Sequence, residues 1–146
     1  MSHAAGLAQR PIGHTGLSAS VLGFGTGDNA GLMILGSVAD QREAVAQAIG
    51  AGVNYFDTSP DYGRGRAEEN LGRALKGRRH EVLITTKVEV MPADQHRLAK
   101  KVHESLNDSL RRLRIRRRSQ ARWPNACGNG CACRLATRLP RRSSRS

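Results

Sequence analysis

Long apolar runs and early cysteines are both missing from this sequence. No stretch approaches the roughly 20 apolar residues that a membrane-spanning helix needs, so we expect no membrane partner. The three cysteines stand at positions 127, 131 and 133, so the region before them needs no disulfide bond and fits a reducing cytoplasm. Residues 1–9 have neither a basic start nor a long apolar core, and we therefore expect no signal peptide.

Acidic residues, lysines and histidines are absent from the last part of the chain. No acidic residue follows Asp108, no lysine follows Lys101 and no histidine follows His103. Charges balance over residues 1–110, so the whole net charge of +12 belongs to residues 111–146, which contain twelve arginines. On a uniform domain such a charge would indicate an acidic partner, either nucleic acid or an anionic membrane surface. Here two different compositions are joined, and each has to be interpreted separately.

Patterns typical of strands and helices alternate over the first 113 residues. Short apolar runs predict buried strands at residues 20–25, 53–57 and 82–86. The strands recur about thirty residues apart, which is the βαβ period and favours a barrel or an open α/β sheet. A chain of 146 residues is too short for a complete eight-fold βα barrel, which needs about 200 residues or more.

Amphipathic segments follow each predicted strand. Three helices are predicted, beginning near residues 40, 67 and 94, and the first would have Asp40 as its N-cap with Glu43 reaching back to it. The third helix places its leucines and valine at helical spacing up to Leu113. Residues 10–16 predict a hairpin-like lead-in, because their glycines supply a turn, and residues 25–31 predict a loop.

Three residues suited to proton transfer stand at or just after the predicted strand ends. Asp57 ends the second strand, Tyr62 follows five residues later, and Lys87 follows the third strand. The carboxyl ends of parallel strands meet on one rim, so we expect these side chains to lie together. Asp57 would hold Lys87 charged, and a nearby ammonium favours the phenolate of Tyr62. Tyr62 could then give a proton to a substrate carbonyl oxygen while hydride reaches the carbon, and take it back in reverse.

A purely structural interpretation of the same residues stands beside this one. Asp57 would cap a loop, Tyr62 would pack against its neighbours, and Lys87 would be solvated. Each of these is the more common situation for a single residue, but three such residues at the right strand ends favour the catalytic interpretation.

Several motifs resemble those of the aldo-keto reductase family. They are residues 21–26 (Val-Leu-Gly-Phe-Gly-Thr), 52–63 (Gly-Val-Asn-Tyr-Phe-Asp-Thr-Ser-Pro-Asp-Tyr-Gly), 68–72 (Glu-Glu-Asn-Leu-Gly), 84–87 (Ile-Thr-Thr-Lys) and the helix at 105–113. The resemblance implies an α/β fold that is part of a (β/α)8 TIM barrel, with the first three βα units present. It implies NAD(P)H-dependent interconversion of carbonyls (aldehydes, ketones, aldoses) and alcohols. The Thr-Ser-Pro form of the second motif is similar to the bacterial aldose dehydrogenase branch.

The resemblance also implies roles for individual residues. Three of the family's four catalytic residues are then present: Asp57, Tyr62 and Lys87. The nicotinamide end of NADP(H) or NAD(H) would lie along Gly25, Thr26, Gly27 and Asp57. The fourth catalytic residue, a histidine, should end the next strand near positions 118–125, where the sequence has neither a histidine nor an apolar strand. The spacing of glycines at 23–27 is not a dinucleotide fingerprint, because no helix follows at once.

Residues 114–146 do not continue this pattern. The arginines could bind phosphates, but the lone Trp123 gives no aromatic interleaving, so we disfavour nucleic-acid binding. Cys127, Cys131 and Cys133 could hold zinc or an iron–sulfur cluster, but their spacing matches neither common pattern, so we predict no metal site. A solvated, disordered tail is the structural alternative. The composition of this segment is rich in arginine, alanine, glycine and serine and has no lysine or acidic residue. A GC-rich gene translated in the wrong reading frame yields such a composition, so we favour a frameshift near Arg114.

Three hypotheses about function follow from these observations. The favoured one is a truncated oxidoreductase of the family named above, whose residues 1–113 form the opening part of the barrel and whose activity is weak or lost. The second is a basic, non-enzymatic protein that binds nucleic acid through its tail. The third is a regulatory fragment that pairs its open strand edge with a full-length relative.

Overall fold

The computed structural model describes residues 6–116, which form a hairpin and a βα-repeat unit. In chain order the elements are β1 (Gln9–Pro11), β2 (Ser18–Ser20), β3 (Phe24–Gly25), α1 (Leu32–Leu35), α2 (Val38–Gly50), β4 (Tyr55–Asp57), α3 (Arg66–Ala74), β5 (Leu83–Thr85) and α4 (Leu98–Arg112). Single turns of 3-10 helix lie at Asp28–Ala30 and Arg79–Glu81, and a longer one lies at Pro92–Arg97. The predictions about the tail, including its disorder, its cysteines and the missing histidine, fall on residues 117–146 and lie outside the described residues.

The lead-in before the first parallel strand is an antiparallel hairpin, as predicted. Strands β1 and β2 pair with Arg10 opposite Ala19. The turn between them needs left-handed backbone at Gly13 (φ 50°) and Gly16 (φ 72°), a conformation that glycine adopts without steric cost.

Strands β3, β4 and β5 form a parallel sheet in sequence order. Successive side chains along a strand point to opposite faces of the sheet. The register places Gly25, Asp57 and Thr85 side by side across the three strands, on the same face. Phe24 and Phe56 are adjacent on the opposite face, with their ring centroids 5.2 Å apart. The apolar face packs under the helices, and the row that contains Asp57 and Thr85 faces away from them.

The strand predicted at residues 20–25 is shorter than expected. Ser20 belongs to the hairpin, and the side chains of Val21 and Leu22 are 54% and 57% exposed. The Ser20 hydroxyl donates to the Leu22 carbonyl (2.6 Å), and its N–H donates to Asn54 Oδ1 (2.7 Å). These two bonds turn the chain between the two sheets, so the parallel strand begins only at Phe24.

The start of α2 was predicted three residues too late. Its N-cap is Ser37, whose hydroxyl oxygen accepts from the Asp40 N–H (3.1 Å) while Asp40 Oδ2 accepts from the same hydroxyl group (2.7 Å). Asp40 is therefore the third helical residue and not the cap. Glu43 does not reach back to the cap: its Oε1 accepts from Gln47 one turn later (2.8 Å).

The hydrophobic core lies between the sheet and its helices. Its buried members come from every βα unit: Met33, Val45, Val53, Phe56, Ala67, Leu71, Leu75, Val82, Ile84 and Leu113. On the third predicted helix, Leu106 and Leu113 are buried, whereas Leu98 is 48% exposed because α4 begins there, after the 3-10 turn. Among the described helices, none is long and apolar enough to cross a membrane.

A buried carboxylate joins α3 to β5 and α4. Glu68 is completely buried, and its Oε1 accepts from the Thr86 hydroxyl (2.6 Å). Its Oε2 accepts from Arg112 Nε (2.6 Å). Gly72 allows the close approach of these helices, because a Cβ there would stand 2.7 Å from the Leu113 backbone.

Candidate active site

The three side chains predicted to meet at the strand ends do meet. Lys87 Nζ donates to Asp57 Oδ2 (2.7 Å) and to the Thr58 carbonyl (3.0 Å). The same nitrogen stands 4.8 Å from the centroid of the Tyr62 ring, within the range of a cation–π contact. Lys87 is therefore a partly buried, ion-paired lysine and not a fully solvated one, while its catalytic role stays a prediction.

Tyr62 reaches the site because the chain turns sharply after β4. The Ser59 hydroxyl oxygen accepts from the Asp61 N–H (3.2 Å), and the Tyr62 N–H donates to the Ser59 carbonyl (3.3 Å). The Gly63 N–H then donates to Asp28 Oδ1 (3.0 Å), which ties this turn to the segment after β3. The Tyr62 ring consequently lies over Gly27, where an added Cβ would be 3.7 Å from the ring.

The electrostatic environment keeps Lys87 protonated. Partial burial by itself would lower the pKa of Lys87, but the hydrogen bond to Asp57 and the interaction with Tyr62 outweigh it and raise that pKa. The Asp57 and Lys87 side chains keep 30% and 35% of their surface exposed. The pair is thus only partly buried, and a small molecule can reach it from solvent.

The residues predicted along the cofactor have two different environments. Gly25 is exposed, and a Cβ there would meet no atom within 4 Å. Thr26 is buried, and both its N–H (3.0 Å) and its hydroxyl (3.1 Å) donate to the Asp57 carbonyl. Its side chain therefore holds β3 against β4. The predicted cofactor contacts stay a prediction.

Sequence reasoning missed one polar neighbour of the site. The Thr85 hydroxyl donates to Asp57 Oδ1 (3.0 Å), the oxygen that Lys87 does not use. A signal was available, because Thr85 ends the strand that precedes Lys87, and side chains two residues apart in an extended chain point to the same side. Among residues 6–116, no group of three metal-ligating side chains occurs.

Comparison with known proteins places this fold in one family. The family model described as "Aldo/keto reductase family" matches residues 21–117. L-galactose dehydrogenase from Arabidopsis thaliana is 35% identical over 111 residues, which cover 73% of this chain and 34% of that protein. The chain thus spans about a third of the length of this curated relative.

Solved structures agree with the sequence comparison. An aldo-keto reductase from Pseudomonas aeruginosa has a TM-score of 0.64 at 32% identity, over 78% of this chain and 45% of that chain. An aldo-keto reductase from Klebsiella pneumoniae, solved in complex with NADPH, has a TM-score of 0.53 at 30% identity, over 67% of this chain and 32% of that chain. The three parallel βα units are therefore part of a (β/α)8 TIM barrel. The match over residues 21–117 contains the whole parallel sheet together with Asp57, Tyr62 and Lys87, and it shows that this chain belongs to the aldo-keto reductase family.

Proposed function

We propose that Asp57, Tyr62 and Lys87 form the proton-transfer group of an oxidoreductase that interconverts carbonyls and alcohols. The observation that carries the proposal is the position of Lys87 Nζ, bonded to Asp57 (2.7 Å) and 4.8 Å from the Tyr62 ring. Family membership and the oxidoreductase named among the relatives support it.

Each of the three side chains has a separate part in this chemistry. Tyr62 gives its phenolic proton to the substrate carbonyl oxygen, and the Lys87 ammonium stabilises the phenolate that remains. Asp57 keeps Lys87 protonated and directs it toward Tyr62. In the reverse direction the phenolate takes the proton from the alcohol.

The open backbone beside Asp57 suits a flat cofactor ring. Gly25 is next to Asp57 in the sheet register, and within residues 6–116 no atom lies within 4 Å of the position that a Cβ at Gly25 would take. We therefore assign the nicotinamide contact to the backbone at Gly25 and Gly27, next to Asp57, with Thr26 fixing the segment. NADP(H) or NAD(H) held there would supply or accept the hydride at the substrate carbon. The NADPH complex of the Klebsiella relative supports this choice of cofactor.

The substrate class that we propose is a small aldehyde, ketone or aldose, and the proposed compartment is the cytoplasm. The 146-residue chain by itself should show only background turnover. A proton donor works only when it is held within about 2.6–3.2 Å of its acceptor, and among the described residues only three strands build the rim that would fix this distance.

The test begins with the nucleotide sequence near codon 114, translated in all frames. We expect an alternative frame to encode an apolar strand that ends in histidine, followed by four more βα units. The frame-restored protein should oxidise NADPH or NADH with aldehydes, and Tyr62→Phe and Lys87→Met should lower its rate by about 100-fold or more. Lys76→Met changes a lysine outside the site and should leave the rate unchanged.

Three results would contradict parts of this proposal. If neither frame encodes those elements, the frameshift hypothesis is wrong. Robust turnover by the 146-residue chain that Tyr62→Phe abolishes would show that the chain is complete enough to act. Equal turnover of the restored protein with and without the Tyr62 hydroxyl would show that the proposed roles are wrong.

A further inference from the structure

We propose that Thr85 is a positioning residue that orients the Asp57 carboxylate and through it holds Lys87 in place. The consequence for turnover rests on the function proposed above, but the geometric claim concerns only these side chains and can be tested without activity.

The sheet register brings Thr85 beside Asp57. The two residues are partners across β4 and β5, and Thr85 is 3% exposed. Three oxygens lie within reach of its Oγ1: Asp57 Oδ1 at 3.0 Å, the Tyr55 hydroxyl at 3.3 Å and the Phe56 carbonyl at 3.5 Å. A hydroxyl has one proton to donate, and a carboxylate is the strongest of these acceptors as well as the nearest. The proton of Thr85 therefore goes to Asp57.

This bond gives the two carboxylate oxygens of Asp57 different partners. Oδ1 accepts from Thr85, and Oδ2 accepts from Lys87 Nζ (2.7 Å). A carboxyl group held at both oxygens cannot rotate about its bond to Cβ without breaking one of the two hydrogen bonds. Among residues 6–116, no other donor is bonded to Oδ1, so the orientation of the carboxylate depends on the Thr85 hydroxyl.

A second tyrosine, Tyr55, lies within hydrogen-bond distance of Thr85. The Thr85 oxygen keeps its lone pairs after donating to Asp57, so the Tyr55 hydroxyl can donate to it across 3.3 Å. The Tyr55 ring is itself confined, because it lies so close to Gly23 that a Cβ there would be 2.9 Å from Tyr55 Cδ1. A chain of polar contacts thus runs from Tyr55 through Thr85 and Asp57 to Lys87.

The neighbouring residue provides a matched control for a test of this role. Thr86 also donates to a buried carboxylate, Glu68 Oε1 (2.6 Å), but on the other face of the sheet. Replacing either threonine by valine keeps the shape and the β-branching and removes one hydroxyl–carboxylate bond. Only the change at Thr85 removes a bond from Asp57.

The experiment measures the reactivity of the Lys87 amine in the 146-residue chain, kept dilute to limit self-association. The chain is acetylated with a trace of acetic anhydride at one mildly alkaline pH, and peptides are quantified by mass spectrometry with the exposed Lys76 and Lys100 as internal standards. Lys87 should react more slowly than both standards. Thr85→Val should raise its relative rate about threefold, which corresponds to half a pKa unit. Thr85→Ser, which restores the hydroxyl, and Thr86→Val should both stay at the wild-type value.

Several results would overturn the proposal. They are a wild-type Lys87 that reacts as fast as Lys76, a Thr85→Val rate equal to wild type, a Thr85→Ser rate equal to that of Thr85→Val, and an equal rise in Thr86→Val. Circular dichroism accompanies each variant, and Thr85→Ala replaces Thr85→Val if the valine variant loses its helical signal. Failure of the frame-restored protein to reduce carbonyls would overturn the proposed function and leave this labelling result in force.

Discussion

The Lys87 side chain is partly buried, hydrogen-bonded and paired with an opposite charge. Its ammonium group contacts a carboxylate, a backbone carbonyl and an aromatic ring within one small region. The last of these contacts depends on Tyr62 folding back in the turn after β4. A lysine held in this way is a fixed positive charge, which would favour the phenolate form of Tyr62 in its proposed role as proton donor.

The raised pKa of Lys87 leads to a prediction about pH. Because the folded-state pKa lies above the ordinary value of 10.5, the pair with Asp57 stabilises the fold fully below that pH. This contribution is lost as the pH rises through the folded-state pKa. Acetylation of Lys87 measured across a pH series should therefore give a midpoint above that of Lys76, and Asp57→Asn should lower the Lys87 midpoint. A Lys87 midpoint below that of Lys76 would contradict this.

Among the elements, α3 and α4 are joined by the buried carboxylate of Glu68. Arg112→Met would remove the partner of Glu68 Oε2 (2.6 Å) and leave a buried charge with only Thr86 to compensate it. Breaking a buried pair costs about 3 kcal/mol or more, so amide hydrogen exchange in α3 of the frame-restored protein should accelerate by about 100-fold. The measurement tests whether loss of the bond between Arg112 and Glu68 causes this faster exchange.

The adjacent arginine is the control for that prediction. Arg111 pairs with Asp108 on the surface (3.0 Å), with 74% of its side chain exposed. Exposed pairs contribute less than about 1 kcal/mol, so Arg111→Met should change exchange in α3 by only a few fold. Equal acceleration by both variants would show that the buried pair has no special role.

Helix and strand boundaries show which local signals were sufficient. The βα order was predictable because period and composition are local properties, and Gly52 (φ 91°) follows α2 with the left-handed backbone that glycine accepts after a helix. The predicted α2 cap was wrong because Ser37 and Asp40 are both residue types that favour an N-cap, and in the structure Ser37 takes that position while Asp40 bonds back to it. Gln41, just beyond the cap, donates to the carbonyls of Leu32 (3.1 Å) and Gly36 (3.0 Å), which fixes the approach of α1 to α2.

At the scale of the whole molecule, the parallel sheet has two unpaired edges within the described residues. The sheet order leaves one side of β3 and one side of β5 without a strand. Beside β5 a small apolar recess lies against α4, lined in part by Ile84, Leu110 and Ile115. Unpaired strand edges promote association.

We therefore expect the isolated 146-residue chain to self-associate and to melt without a sharp cooperative transition. Sedimentation velocity over a range of concentrations should show mass rising with concentration, and calorimetry should show a broad, weak transition. A frame-restored protein serves as the comparison, since its additional strands would pair the edges. A monodisperse monomer of the 146-residue chain with a two-state calorimetric peak would contradict this expectation.

What the sequence determined alone is the βα order, the family motifs and the identity of the three residues at the strand ends. These follow from patterns that span a few residues, such as apolar runs, glycine turns and the thirty-residue period. Only the tertiary structure decided that the Thr85 hydroxyl donates to Oδ1 of Asp57 and that Glu68 is buried between Thr86 and Arg112. Those contacts join residues 18 to 44 positions apart, so they depend on register and helix packing, which no local pattern specifies.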